Sequence, residues 1–249
     1  MDLGLGGRTA AVAAGSAGLG LASAAALAAE GVRVVICGRD VPRLEKAAAE
    51  LSGEVIPLVA DVGTPEGATD FVRRATEALG GRLDILVTNA GGPPPGTFTT
   101  TGLDAYPAAL NLNLMSVVAM CLEAVPAMRE QRWGRVVAIT SISVRQPIPS
   151  LILSNTARAG ATGFLKTMAR EVAPDGVTVN SVQPGLHATA RVAAVYGGDP
   201  SKAAADIPVG RIGVPADFGA VVAFLCSEQA GFVTGAALQV DGGAYQGLQ

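Results

Sequence analysis

The sequence predicts an α/β chain: a doubly wound parallel sheet of about seven strands with helices on both faces, in a single domain over residues 1–249. Three observations carry this. Short β-rich apolar runs alternate with longer helical patterns along the whole length, the order expected of a sheet built from βαβ units. Runs such as Val34-Val35-Ile36 and Ile85-Leu86-Val87 are apolar without alternation, as strands buried on both faces require. No linker, repeat or charge block divides the chain.

The elements follow in order. A strand over 8–14 runs into Gly15-Ser16-Ala17-Gly18-Leu19-Gly20 and an alanine-rich helix over 19–29. The second strand, 32–37, precedes Pro42, which fits the first turn of a helix over 42–51, where a missing N–H costs little. Strand 54–59 and Pro65 repeat that pattern, with a helix over 65–79. Strand 83–89 leads through Gly91-Gly92-Pro93-Pro94-Pro95-Gly96 to a long helix over 103–129. Strand 134–141, a helix over 154–172 and strand 177–182 come next, then a helix opened by Pro215 over 215–227 and a last strand, 236–240. The segment from Pro184 to Gly213 is too long for a plain connector and reads as a substrate lid at about 186–213.

Composition excludes several function classes. With 49% hydrophobic and 16% charged residues the chain is globular. A net charge of −3 and 4% aromatics give no electrostatic or stacking platform for nucleic acid, and no attraction to an anionic membrane. Three scattered cysteines (Cys37, Cys121, Cys226) and a lone histidine, His187, leave no disulfide framework and no metal site. The cysteines read as buried hydrophobes of a cytoplasmic protein. Residues 9–29 carry no charge, but they are mostly alanine and are broken by the glycine loop, so a strand, a turn and a helix are expected there rather than a membrane span.

The first chemical motif is that glycine loop. Between a strand and a helix, glycines permit a tight turn, close approach to a pyrophosphate and close helix–sheet packing, while the helix N-terminus supplies free N–H groups. Gly15, Ser16, Gly18, Leu19 and Gly20 are therefore candidate cofactor residues. The second strand ends Cys37-Gly38-Arg39, without the acidic residue that would accept from a ribose 2′-hydroxyl; Arg39 suits a 2′-phosphate, so NADP is expected before NAD.

Further pieces occur in a familiar order: Asp61-Val62 after the third strand, Asn89-Ala90-Gly91 after the fourth, Asn113 in the long helix, Ser141 ending the fifth strand, Pro184-Gly185 after the sixth, and Val240-Asp241-Gly242-Gly243 near the end. With the glycine loop they make the chain resemble the short-chain dehydrogenase/reductases, in particular 3-oxoacyl-carrier-protein reductases, over nearly its whole length. The resemblance implies a Rossmann-type fold and an NAD(P)-dependent oxidoreductase. It implies that Asp61 and Val62 flank the adenine and that Asn89, Ala90 and Gly91 line the adenosine ribose. Pro184, Gly185, the His187 backbone and Thr189 would hold the nicotinamide carboxamide. It also implies a homodimer or homotetramer joined through 103–129 and 154–172.

The sequence departs from this family in two places. Ala13-Ala14 stand where the family has Thr-Gly, removing a hydroxyl hydrogen bond worth ~1 kcal/mol. The family's chemistry rests on asparagine, serine, tyrosine and lysine, the last two four residues apart on one helix face. Thirteen residues after Ser141, where the tyrosine belongs, stands Ser154, and four further on Arg158 replaces the lysine. The expected catalytic set is therefore Asn113, Ser141, Ser154 and Arg158. Arginine stays charged and cannot shuttle a proton, but it can stabilise negative charge as a fixed cation. Tyr196, His187 and Arg145 are other candidates for the proton, each with an ordinary packing or surface role as the alternative.

The leading functional expectation is an atypical NADP(H)-dependent carbonyl reductase or alcohol dehydrogenase. The alternatives are a non-redox lyase, isomerase or cyclase, or a cofactor-binding protein without turnover, on the same fold. A serine hydrolase with Ser16 in a nucleophile elbow is disfavoured, because the elbow would follow the first strand. The lid, rich in alanine, valine and glycine, points to an apolar or neutral ligand.

Overall fold

The computed structural model describes residues 2–195 and 204–248. Seven strands form one sheet: β1 (Thr9–Val12), β2 (Arg33–Gly38), β3 (Val55–Val59), β4 (Ile85–Thr88), β5 (Gly134–Ile139), β6 (Val177–Pro184) and β7 (Ala237–Val240). Their order is β3-β2-β1-β4-β5-β6-β7, with every pair parallel. The chain winds outward from β1 in one direction and then from β4 in the other. The carboxyl ends of β1 and β4 therefore open the crevice in which such sheets bind ligands.

Helices α1 (Gly18–Ala29), α2 (Val41–Glu50) and α8 (Pro215–Cys226) cover one face, packing Leu27, Leu44, Phe218 and Val222 on Val34, Ile36, Ile85 and Val137. Helices α3 (Pro65–Ala78), α5 (Ser116–Glu130) and α6 (Ile152–Val172) cover the other, with Phe71, Met120, Met128 and Leu165 against Val35, Leu86 and Val136. Each fully buried large side chain contributes ~1.5–3 kcal/mol. The inner residues of the sheet's central strands are apolar because both of their faces are covered in this way, while the buried polar residues Thr9, Thr88 and Arg135 sit at or next to strand ends. Two helix starts follow their sequence signals. The Asp40 side chain accepts from the Arg43 N–H ahead of Pro42, and Thr64 Oγ1 accepts from the Gly67 N–H ahead of Pro65.

The departures from expectation have local causes. Strand β1 ends at Val12 because Ala14 takes a left-handed conformation (φ 47°) that cannot continue a strand. The helix expected over 103–129 is instead four joined pieces: a 3₁₀ turn at Leu103–Ala105, α4 (Tyr106–Leu110), a π-helical turn at Asn111–Met115, and α5. The wide turn tucks Asn113 inward, where its Nδ2 donates to the Gly91 carbonyl at 2.9 Å. Helix α6 starts two residues earlier than expected, and a short helix α7 (Ala190–Val195) was not foreseen.

The uncharged segment 9–29 forms β1, the glycine loop and α1. Among the described residues one helical stretch, Leu103–Glu130, is long and apolar enough to cross a membrane by length and composition. Half of its most apolar window is buried, with α5 packed on α3.

Candidate active site

A cleft of about 630 Å³ runs across the carboxyl ends of the strands, from Arg39 and Arg43 at one end to Ser141, Ser154 and Arg158 at the other. Its floor at the near end is the glycine loop. A Cβ on Gly15 would lie 2.9 Å from the Ile36 side chain, and one on Gly20 would lie 2.5 Å from the Ala14 carbonyl and 2.7 Å from Asn89 Nδ2. These two glycines therefore hold the loop against β2 and β4, while Ser16, Gly18 and Leu19 line the cleft itself. Asn89 Nδ2 clamps the loop by donating to the Ala14 carbonyl at 3.3 Å. Ala17, at the N-cap of α1, offers no side-chain hydrogen bond, so the first N–H groups of α1 stay available toward the cleft. Free N–H donors at a helix start, facing a cleft at the sheet's switch point, fit the pyrophosphate of a dinucleotide.

Arg39 is mostly exposed and lies 3.6 Å from Asp61, which with Val62 and Ala60 lines the same end. Arg43, on the first turn of α2, joins it there and pairs with Asp40 at 3.0 Å. Reading the sequence missed this second cation, although its spacing of four residues from Arg39 was visible. Asn89, Ala90 and Gly91 line the middle of the cleft, as do Gly185, His187 and Thr189 beyond β6. Pro184 itself ends β6 beside Val240, and Thr189 Oγ1 accepts from the Val192 N–H at the start of α7.

The far end holds three of the four residues expected to be catalytic. Ser141 lies two residues beyond the end of β5, where the sequence had placed it inside the strand, and caps a 3₁₀ turn at Ile142–Val144; its Oγ accepts from the Ser143 N–H at 3.1 Å, leaving the hydroxyl proton free to donate. Ser154 sits in the first turn of α6 and opens into the cleft. Arg158, one turn further along α6, is only 9% exposed. Its Nη1 donates to the Ile139 and Thr140 carbonyls at 3.0 and 3.1 Å. Burial pulls its pKa down to about 10, and the nearby Arg191 adds to the effect, yet the group stays protonated at neutral pH. The fourth residue, Asn113, lies buried behind the Gly91 backbone and outside the cleft lining.

The other proton candidates fare differently. His187 is buried edge-on against Phe218, its ring centroid 5.3 Å away, and Nδ1 donates to the Gly185 carbonyl at 3.2 Å. Desolvation lowers its pKa, so it is neutral at pH 7. Arg145 points to the Ala237 carbonyl, and the small cavity it lines lies apart from the cleft. Tyr196 lies outside the described residues. No described tyrosine lines the cleft.

The comparisons with known proteins agree with one another. An enoyl-(acyl carrier protein) reductase family model matches residues 13–245. An acetoacetyl-CoA reductase of Cupriavidus necator is 34% identical over 245 residues, 96% of this chain and 99% of that one. A 3-oxoacyl-[acyl-carrier-protein] reductase of Aquifex aeolicus is 32% identical over 98% of this chain and all of its own length. Among solved structures, L-sorbose reductase from Gluconobacter frateurii, complexed with NADPH and L-sorbose, superposes with a TM-score of 0.92 at 32% identity over the whole of both chains. With matches of this extent to fold, family model and relatives, the chain belongs to the short-chain dehydrogenase/reductase family of oxidoreductases.

Proposed function

We propose that the protein is an NADP(H)-dependent oxidoreductase interconverting a carbonyl and an alcohol, with a Ser141–Ser154–Arg158 site in place of one built on tyrosine and lysine. The carrying observation is the continuous cleft that joins a glycine-loop cradle at a doubly basic end to two hydroxyls and a buried guanidinium. Arg39 and Arg43 favour the 2′-phosphate of NADP, and the free N–H groups of α1 suit its pyrophosphate. When bound, the nicotinamide supplies or accepts a hydride. The protein's own part is to orient and polarise: Ser141 and Ser154 donate to the substrate oxygen, and Arg158 stabilises its developing charge without moving a proton. The proton itself comes from water or from the segment 186–213, which we read as a lid; of that segment, 196–203 lie outside the described residues. Leu103 and Leu122 expose their side chains on the long helical segment, in keeping with a homodimer or homotetramer joined there. Three free buried thiols suit a cytoplasmic protein.

The test is a fluorescence titration with NADPH and NADH, followed by nicotinamide absorbance with a panel of carbonyl compounds. Micromolar NADPH binding is expected, weakened at least ten-fold by Arg39→Ala while NADH binding barely changes. No binding of either nucleotide overturns the reading. One observation favours a second reading: among the described residues the far end of the cleft holds hydroxyls and guanidinium groups but no tyrosine and no carboxylate. A lyase, isomerase or cyclase using the same hydroxyls and cation would form product with no change in nicotinamide absorbance.

A further inference from the structure

The two ends of the cleft differ in charge. Among the described residues its only acidic lining residues, Asp40 and Asp61, sit beside Arg39 and Arg43 at the near end. The far end carries Arg158 and Arg191 and no carboxylate among the described lining residues. Arg158 uses only Nη1 for the protein. Its Nε and Nη2, the side-on fork of the guanidinium, make no hydrogen bond among the described residues, yet neither is a sealed, unsatisfied atom. Arg158 lines the cleft, so this edge is the part of the guanidinium left for a ligand there. Arg191, on α7, leans across from the lid and donates to the Gly92 and Pro93 carbonyls at 3.1 and 3.3 Å, which ties the lid to the loop after β4.

We propose that the far end of the cleft is a carboxylate cradle, and that the substrate is an oxo or hydroxy acid whose carboxylate takes the Nε/Nη2 fork of Arg158 under Arg191. The identity of the reacting carbon rests on the oxidoreductase reading; the anion site does not. A guanidinium fork matches a carboxylate with two parallel hydrogen bonds, a geometry that a lysine ammonium does not offer. A carboxylate seated there is flanked by the hydroxyl of Ser154, one helical turn earlier on α6, and lies near the positive end of that helix. The carbonyl of the same molecule then falls toward Ser141. The lid's alanine, valine and glycine pointed to a neutral ligand, but beside Thr189, Ala190 and Val192 its described residues also bring the charged Arg191 to the cleft wall. Burial depresses Arg158, with Arg191 adding to the effect, so a bound anion relieves an existing electrostatic cost.

Calorimetry tests this with pyruvate, acetoacetate and levulinate, each against its ethyl ester, on the intact protein with and without saturating NADP. At least one acid is expected to bind ten-fold or more tightly than its ester. Arg158→Gln should abolish that preference. Arg191→Gln, an exposed side chain whose loss does not threaten folding, should reduce it at least three-fold. The proposal is overturned if no acid binds, if the esters bind as well, or if both variants keep the preference. It is equally overturned if NADP abolishes acid binding, because the fork would then serve a nucleotide phosphate. Acid binding that persists without any NADPH oxidation or nucleotide affinity would sink the oxidoreductase reading and leave the cradle standing.

Discussion

Ala14 is a backbone compromise whose cost can be measured. It opens the glycine loop at φ 47°, where a side chain crowds its own carbonyl, at ~1–2 kcal/mol relative to glycine. Ala14→Gly removes that strain. Against it stand ~0.5–1 kcal/mol for the greater freedom of glycine in the unfolded chain and ~0.3 kcal/mol for a half-buried methyl. Neither the 3.3 Å hydrogen bond from Asn89 Nδ2 nor the one from the Ala14 N–H to Cys37 Sγ involves the methyl. The net expectation is a gain of about 0.5 kcal/mol. Ala13 is the internal control: it is fully buried, has no positive φ, and its N–H is held by the Val87 carbonyl at 3.0 Å. Ala13→Gly loses the same entropy and a whole buried methyl, about 1.5 kcal/mol in all. The two neighbouring substitutions should thus differ by about 2 kcal/mol, a separation of ~4–8 °C in Tm for a chain of this length. Thermal and urea unfolding of the three proteins measure it. Equal destabilisation by both substitutions would refute the strain argument.

Three other outcomes follow from the same geometry. The lone histidine should titrate below its ordinary 6.5, because burial disfavours the imidazolium. The unfolded chain then binds the extra proton first, so this group's contribution to stability declines as pH falls from about 6.5 and levels off below the folded pKa; an NMR titration of His187 giving 6.5 or higher is the contrary result. Cys37, Cys121 and Cys226 are buried thiols pushed up to about 12, so a disulfide reagent should label them only on unfolding, and rapid labelling of the native protein would contradict their packing. Installing the family pair, Ser154→Tyr with Arg158→Lys, should raise kcat toward a neutral ketone by about 10²-fold or more at pH 7 through general acid catalysis, and an unchanged rate would show that proton transfer does not limit turnover.

The sheet was legible because its signal is local. Each strand is a short apolar run bounded by glycine, proline or a helix pattern, and all seven runs became strands. The glycine loop was legible for the same reason: strand, turn and helix are contiguous. What escaped depended on where distant loops cross. Arg191 reaches Gly92 and Pro93, about a hundred positions earlier in the chain, and no periodicity encodes that meeting. The π-helical turn at Asn113 was hidden because its wide geometry answers to the Gly91 carbonyl on another element. Arg43 reads from sequence as an ordinary charge on a helical first turn, and only the path of β2 into α2 sets it beside Arg39.

On the proposed reading, Arg158 in the place of the family's lysine alters more than proton supply. A buried lysine can lose its charge when desolvated; an arginine at about 10 cannot do so at neutral pH. Burying that charge without a carboxylate costs several kcal/mol, and the two carbonyls at the end of β5 offset only part of it. The fold can carry such a penalty because the central sheet and its two helical layers are apolar and closely packed around it. A positive group with no carboxylate partner among the described residues, buried at the far end of a nucleotide cleft, is stabilised most by a ligand that brings the missing charge. On the proposed reading, the same residue that removes the usual proton relay turns the far end of the cleft from a site that moves protons into one that selects anions.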